Sequence, residues 1–387
     1  MAQREFADKF FLDLEKLMKK NVLVRYIVKE LFLYFFISFL FFFMIFFVNE
    51  ILLLAETILR QRVPVATVFR LITYSLPAVI AQSAPFATLV GFLMCLGRLV
   101  SDNEILILRA SGLEYRFIMI PVVVLGALIS VSSFFVNDYL LPVGKLKFNR
   151  LKKEIIHTNP AIELESRSIK RTNDSTLVIG DVDKNQVSDL VVFDSDEKGN
   201  QRIIVAENSS VEKSSLGGIL MELKMQNATV LFFDRKEKTT LDSLFAKTVL
   251  LNVFSSAFVD SSNRIMPSEM TSYDLKKELL RMEAEEEVSK RTLNNYRVEY
   301  NKKFSVPFAS LFFALLAMPL SLIFAKRSGQ TIGLIIGLMI SVLYWALTIL
   351  GQIFGIRIGL NGFWAMWTPN FVIGLAGIVL YFRLRKK

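Results

Sequence analysis

Apolar residues in this chain fall into long unbroken runs, three near the beginning and three near the end, with residues 137–303 between them polar and differently patterned. A helix needs about 20 apolar residues to cross the hydrocarbon core of a bilayer. Six runs reach that length: Leu31–Leu54, Ser75–Leu96, Phe117–Val136, Phe304–Ala325, Thr331–Phe354 and Phe363–Phe382. Basic residues precede the first run, as they would a signal peptide. That run is too long for one and no small-x-small cleavage site follows it, so it is expected to be an uncleaved span. The predicted fold class is an α-helical polytopic membrane protein, six transmembrane helices split 3+3, with an all-β, jelly-roll-like domain inserted between helices 3 and 4.

The insert carries a different period. Ile219, Met221, Leu223 and Met225 alternate with Leu220, Glu222 and Lys224, mostly the pattern of a half-buried strand. Short runs of strand character cover Ala161–Ile169, Thr176–Val182, Val187–Phe193, Arg202–Ala206, Ile219–Met225, Thr229–Phe233 and Thr248–Phe254, separated by turn-rich stretches such as 196–200 and 214–218. Seven short strands predict a sandwich or jelly roll. A polar helix is expected to continue the third span outward, and another, over residues 272–303, to lead into the fourth. The domains are then 1–30, an amphipathic N-terminal segment; 31–136, three spans with a short helix near 101–112; 137–303, the β-domain with its flanking helices; and 304–387, three spans and a basic tail.

The net charge of +10 first suggests nucleic acid, but its distribution removes that reading. Residues 137–303 hold 26 basic and 26 acidic residues, which leaves 20 basic and 10 acidic on the membrane half. Of those 20, all but Arg60, Arg62, Arg70 and Arg357 lie before span 1, between spans 2 and 3, between spans 4 and 5, or after span 6. Positive residues stay cytoplasmic, so both termini are expected inside and the insert outside. Phe6, Phe10, Phe11, Leu14, Leu17 and Met18 share one helical face, which suits a helix lying on the inner surface; a basic tail is the alternative. The single Cys95 lies within a span, and the single His157 has no patterned Cys or His partners, so no metal site is expected.

Catalytic signatures are not found. There is no Gly-x-Ser-x-Gly elbow, and Gly144–Lys145 lacks the rest of a Walker loop. The acidic group Glu283, Glu285, Glu286 and Glu287 reads as a solvated helix face. The span centres also lack the ionisable residues by which ion-coupled transporters work. An energy source outside the chain is therefore expected. The loop Ser101–Gly112 offers a connection to one: Ser101 and Glu104 have capping-box spacing, Gly112 is a helix stop, and Ile105, Leu106 and Leu108 would be exposed on a helix that suits a protein groove. The alternative is packing beneath the bundle. In the fifth run Gly329, Gly333, Gly337 and Ser341 recur every four residues, a stripe that lets another helix approach closely. It serves either internal packing or a moving, partner-facing seam.

Together, this 3+3 layout, the loop 101–112, the stretch Asn137–Pro142 and the stretch Tyr300–Pro307 leading to Met318–Leu320 resemble the LptF/LptG (YjgP/YjgQ) family, permease subunits of the bacterial lipopolysaccharide-export ABC transporter. The resemblance implies that the chain is not itself an enzyme and has no cofactor of its own, ATP and Mg being held by a partner ATPase homodimer. Ser101, Glu104, Ile105, Leu108, Arg109 and Gly112 would belong to the ATPase-coupling helix, with Glu104 and Arg109 as its main polar contacts. Further implied partners are a paralogous permease, periplasmic bridge proteins of the LptC/LptA type joined by strand addition, and lipopolysaccharide, with the chain itself in the bacterial inner membrane. Spans 1 and 5 would form gates, with the glycine stripe as a seam.

A multi-acyl lipid needs a wide apolar chamber, and Phe39, Phe43 and Phe46 of the Phe-rich first span are candidates to line it; lipid-facing or core packing is their alternative. The family is expected to place basic side chains near the outer end of span 1 to hold phosphates. This chain has Glu50 and Glu56 there, with basic residues only at Arg60 and Arg62; Lys145, Lys147 and Arg150 are further head-group candidates. Two other readings are a membrane-anchored lipid-binding scaffold, for which six spans are excessive, and a lipid-modifying membrane enzyme, which would need clustered His, Asp or Ser at a span mouth.

Overall fold

A computed structural model describes residues 2–61, 64–158, 166–171, 175–183, 185–195, 201–212, 219–233, 241–254, 265–285, 288–324 and 329–385. The chain divides into two compact units, one of Met1–Leu52, Tyr74–Lys145 and Pro267–Lys387, the other of Leu53–Thr73 and Leu146–Met266. Nine α-helices are described: α1 (Ala2–Gln61), α2 (Val65–Ser101), α3 (Glu104–Ala110), α4 (Tyr115–Phe135), α5 (Leu141–Thr158), α6 (Ser272–Ala284), α7 (Lys290–Phe324), α8 (Gly329–Ile353) and α9 (Gly362–Arg385). Among the described residues, six helices are long and apolar enough to cross a membrane: Val22–Leu54, Val65–Ser101, Tyr115–Lys152, Lys290–Phe324, Gly329–Ile358 and Gly362–Leu384. They contain five of the six predicted spans and all of Phe304–Ala325 but its last residue, which lies outside the described ones, and they extend most of the spans by one or more turns. The N-terminal segment expected as a separate surface helix is continuous with span 1 in α1; the side chains of its first 21 residues lie outside the described ones.

Helix α2 is the spine of the first unit. Of its most apolar stretch 83% is buried, against 17% for α1 and 22% for the α8 span. Ala87, Leu89, Val90, Phe92, Leu93, Cys95 and Leu96 are at most 1% exposed. Both lightly buried helices lie antiparallel along it. On the α1 side, Phe86 meets Phe42 and Phe46, each at 5.8 Å between ring centroids. One turn further, a Cβ on Gly91 would come within 2.7 Å of the Phe35 Cα. On the α8 side, Gly97 faces Gly329, Gly333 faces Leu93, Gly337 faces Val90, and Tyr344 meets Phe86 at 6.3 Å. Helix α4 packs on α7 where Gly126 abuts Ala314. Between α4 and α5 the chain makes one π-helical segment, Val136–Leu140.

The second unit contains the β-sheet. Strands β1 (Ser168–Arg171), β2 (Ser175–Ile179), β3 (Val182–Asp183), β4 (Gln186–Ser195), β5 (Gln201–Glu212), β6 (Ile219–Phe233) and β7 (Leu241–Phe254) pair antiparallel in the order β1-β2-β4-β5-β6-β7, with β3 also on β4. This antiparallel sheet lies between spans 3 and 4, as predicted. The described pairings are those of a meander; crossover connections that would close a jelly roll are not among them. Residues 161–165 of the first predicted strand lie outside the described residues.

Two expected strands, Ile219–Met225 and Thr229–Phe233, are one. In β6 the buried positions run Leu223, Met225, then Ala228 and Val230, so the inward face changes phase by one residue. The same slip occurs in β4 (Val187, then Leu190 and Val192) and in β5 (Ile204 and Ala206, then Ser209 and Val211). A one-residue slip turns every later side chain over unless the backbone absorbs it. Asp189 and Asn227 do so with φ of 53° and 51°, a left-handed conformation that Asp and Asn tolerate better than other non-glycine residues. The three slips lie in register, since Leu190 pairs with Ala206 and Asn208 with Gln226. One buried apolar face therefore survives across all three strands.

Candidate functional site

The short helix expected near 101–112 is α3, and it is built differently from the prediction. Ser101 and Glu104 do not form a capping box. Helix α2 runs on through Ser101, whose hydroxyl donates to the Arg98 carbonyl oxygen at 3.2 Å. Asn103, with φ 61°, takes the N-cap position without a side-chain bond. This puts Glu104 in the first turn, where a carboxylate faces the positive end of the helix dipole. The other end is as predicted: Gly112 has φ +86°, its N–H donates to Arg109 O at 3.0 Å and the Leu113 N–H to Leu108 O at 3.1 Å, the paired bonds of a Schellman stop.

The apolar face of α3 also differs. Ile105 is 3% exposed and belongs to the bundle core, and Leu108 packs against the same core. The outward residues are Leu106 and Ile107, each 65% exposed. With seven residues, α3 makes barely two turns, and the spacing of 105 and 108 is the inward stripe. Arg109 is exposed, with its guanidinium carbon 4.1 Å from the centre of the Tyr115 ring.

Glu104 is bonded within its own chain. The Tyr26 hydroxyl of α1 lies 3.0 Å from Glu104 Oε2 and 3.2 Å from Oε1. Arg98 Nη2 donates to Glu30 Oε2 at 2.9 Å and, more weakly, to the Tyr26 oxygen at 3.4 Å. Its Nη1 lies 3.6 Å from Asp102 and 3.8 Å from Glu104. Arg98 is thus shared by three carboxylates on α1, on α3 and between α2 and α3. Tyr26, Glu30 and Arg98 were not singled out from the sequence. The i, i+4 spacing that puts Tyr26 and Glu30 on one helical face was legible; the arginine they would meet was not.

The glycine stripe packs inside the chain, on α2. A Cβ on Gly333 would sit 2.5 Å from the Leu93 carbonyl oxygen, and one on Gly337 would sit 3.0 Å from the Val90 side chain. Ser341, 3% exposed, donates to Gly337 O at 2.8 Å. Among the candidate chamber residues, Phe39 and Phe46 pack partly against the bundle core. Phe43 continues a ladder of rings along α1, with Phe39 at 6.1 Å and Phe47 at 5.6 Å.

The head-group candidates are divided between the two units and residues outside the described ones. Arg62 lies outside the described residues, and of Arg60 only the helical backbone is described. Lys147 and Arg150 belong to the second unit, Lys145 to the first. Lys145 feels the charges of Glu50, Lys302, Glu299 and Glu269, so acid and base are interleaved around it.

The stretches Asn137–Pro142 and Tyr300–Pro307, far apart in sequence, are bonded to each other. Asn137 Nδ2 donates to Lys303 O at 2.9 Å and the Lys303 ammonium lies 3.5 Å from Asn137 O. Asp138 lies 3.9 Å from that ammonium and accepts from the Ser272 N–H (2.7 Å) and hydroxyl (3.0 Å) at the start of α6. Buried Asn370 of α9 donates to Ser305 O at 2.7 Å. Among the described residues no group of three or more His, Cys, Asp or Glu is placed to hold a metal ion.

The six spans, the intervening sheet and the α2–α3 corner can now be set beside known proteins. A sequence model of the family described as "Lipopolysaccharide export system permease LptF/LptG" matches residues 25–383. The chain is similar to the lipopolysaccharide export system permease protein LptF of Escherichia coli strain K12, 22% identical over 371 residues, covering 93% of this chain and 94% of that protein. Its similarity to LptF of Shigella flexneri has the same extent. A match over nearly the whole length, across both sets of spans and the sheet, places this chain in the LptF/LptG family of lipopolysaccharide export permeases.

Proposed function

We propose that the chain is one permease subunit of an ATP-driven exporter that takes lipopolysaccharide from the inner membrane and hands it to a periplasmic bridge. It pairs with a paralogous permease and with a cytoplasmic ATPase homodimer, which holds ATP and Mg. Both termini and α3 lie on the cytoplasmic side and the β-sheet unit lies in the periplasm, the arrangement favoured by the distribution of basic residues. The observation that carries this reading is α3: a helix stopped by glycine between two spans, showing Leu106, Ile107 and Arg109 outward while Ile105 roots it in the core. That surface suits a groove on the ATPase. The low burial of α1 and α8 supports their assignment as the gate spans, with Phe43 of α1 toward the lipid chamber. An edge strand of the sheet offers backbone for strand addition by the bridge.

The test is isolation of the chain from its native membrane with its partners and measurement of lipopolysaccharide-stimulated ATP hydrolysis. The expected result is co-purification of an ATPase and a second six-span chain, with the ATPase lost from the Leu106→Asp/Ile107→Asp variant. Retention of the ATPase by that variant would sink the coupling assignment of α3.

A further inference from the structure

The charged cluster at the α2–α3 corner does something that docking of α3 on an ATPase does not require: it joins α3 to α1. We propose that Tyr26, Glu30, Arg98 and Glu104 form a releasable latch through which movement of α3 reaches α1. These are positioning residues, and the inference rests on the reading of α3 as the coupling helix.

Three observations carry it. First, the bonds bridge elements with different attachments. Arg98 is on the buried spine, Glu104 on α3, and Tyr26 and Glu30 on α1, the least buried span. The cluster lies at the same end of α1 as buried Ile27 and Leu31, whereas Leu33, Phe36, Ile37, Leu40 and Phe41 beyond them are about half exposed. A shift at Tyr26 therefore acts on a helix held along one stripe, through Ile27, Leu31, Ser38 and Phe42, with its opposite face uncovered.

Second, the cluster is built to open. One guanidinium serves three carboxylates, and Arg98 Nε is buried with no hydrogen-bond partner among the described residues. Glu104 is held by a neutral phenol at 3.0 Å and by a cation only at 3.8 Å, so any cation offered from outside competes with a modest bond. A fully satisfied buried network would instead rigidify the corner.

Third, the pieces separate cleanly. Glu30 keeps its 2.9 Å bond to Arg98 when Glu104 leaves, so α1 stays on the spine while its tie to α3 is broken. Opening frees the Tyr26 end of α1 without detaching the helix. The two states differ in whether α3 and α1 move together.

The experiment uses the whole complex in proteoliposomes containing lipopolysaccharide, with ATP hydrolysis and lipid transferred to an acceptor measured together. Tyr26→Phe removes only the hydroxyl that bonds Glu104. The expected result is normal assembly and wild-type ATP hydrolysis, with lipid delivered per ATP lowered about five-fold or more. Glu30→Gln, of unchanged volume, should lower the same ratio, and Leu33→Ala, on the same helix but outside the cluster, should leave it unchanged. A structural defect would lower assembly and hydrolysis together, not their ratio. Tyr26→Phe moving as much lipid per ATP as wild type overturns the latch while the exporter reading stands. A wild-type complex that moves no lipid overturns the exporter reading itself and the latch with it.

Discussion

Asn137 and Lys303, 166 positions apart, bond each other in both directions: the Asn137 amide donates to the Lys303 carbonyl at 2.9 Å, and the Lys303 ammonium reaches back to the Asn137 carbonyl at 3.5 Å. The π-helical segment Val136–Leu140 is what turns Asn137 and Asp138 toward α7 and α6 together. An inserted residue of this kind re-aims side chains that a regular helix would spread around its circumference.

Lys303 is 4% exposed, and Asp138 at 3.9 Å is its carboxylate partner. Removing one partner of a buried ion pair leaves the other charge uncompensated, which costs about 3–5 kcal/mol. Asp138→Asn is therefore expected to lower the thermal midpoint of the purified protein sharply. Asp138→Asn/Lys303→Met, which removes both charges, should recover part of that loss. A double variant as unstable as the sum of the singles would show that the two side chains do not interact.

The stripe on α8 makes a second prediction. Gly333→Val would drive side-chain carbon into the Leu93 backbone, where even a Cβ comes within 2.5 Å. Backbone cannot rotate out of the way, so a destabilisation at or above the usual ~1–3 kcal/mol of overpacking is expected. Leu338→Val, on the same helix at a 43% exposed site, should be nearly silent. Comparing the two by thermal unfolding in detergent separates α8–α2 packing from general intolerance of α8.

On α3 the inward and outward positions should fail differently. Ile105→Asp buries a charge in the bundle core and should lower the yield of folded protein. Leu106→Asp changes a residue that is 65% exposed, for which stability effects usually stay within about 0.5 kcal/mol. Its loss should appear in partner binding alone, read by co-purification from matched amounts of folded chain.

In the sheet, Arg202 pairs across β4 and β5 with Asp194, whose side chain is 11% exposed. Arg202→Ala removes a charge-assisted pair at a mostly buried carboxylate and should cost about 1–3 kcal/mol. Arg167 also bonds a carboxylate, Asp181, but both side chains are largely in solvent, so Arg167→Ala should leave unfolding unchanged. Equal effects of the two substitutions would contradict the burial argument.

The spans were legible because a run such as Phe304–Ala325 has one physical reading at that length. The two-period pattern of Ile219–Met225 gave a strand for the same reason. What could not be read was how neighbours share a strain. Nothing local announces that Asn227 turns over the face of β6, because the compensating slips, at Asp189 and between Ala206 and Ser209, lie on other strands. The capping box failed similarly: Ser101 and Glu104 have the right spacing, but α2 uses Ser101 as its own last residue. The inward face of α3 depended on which of Ile105 and Leu106 met the core, and a seven-residue helix offers too few positions for periodicity to decide. Arg98 was visible only as one positive charge among many. Its partners Glu30 and Tyr26 lie 68 and 72 positions away and meet it through folding alone.

The contact between α8 and α2 has a mechanical consequence. Where Gly329, Gly333 and Gly337 meet Gly97, Leu93 and Val90, two main chains run against each other with few side chains between them. Helices that interlock by ridges and grooves must lift over one another before they can slip, and so prefer discrete positions. A smooth contact has no such teeth. Movement of α8 along this line would meet its first bulky rings where Tyr344 packs against Phe86 and Phe313.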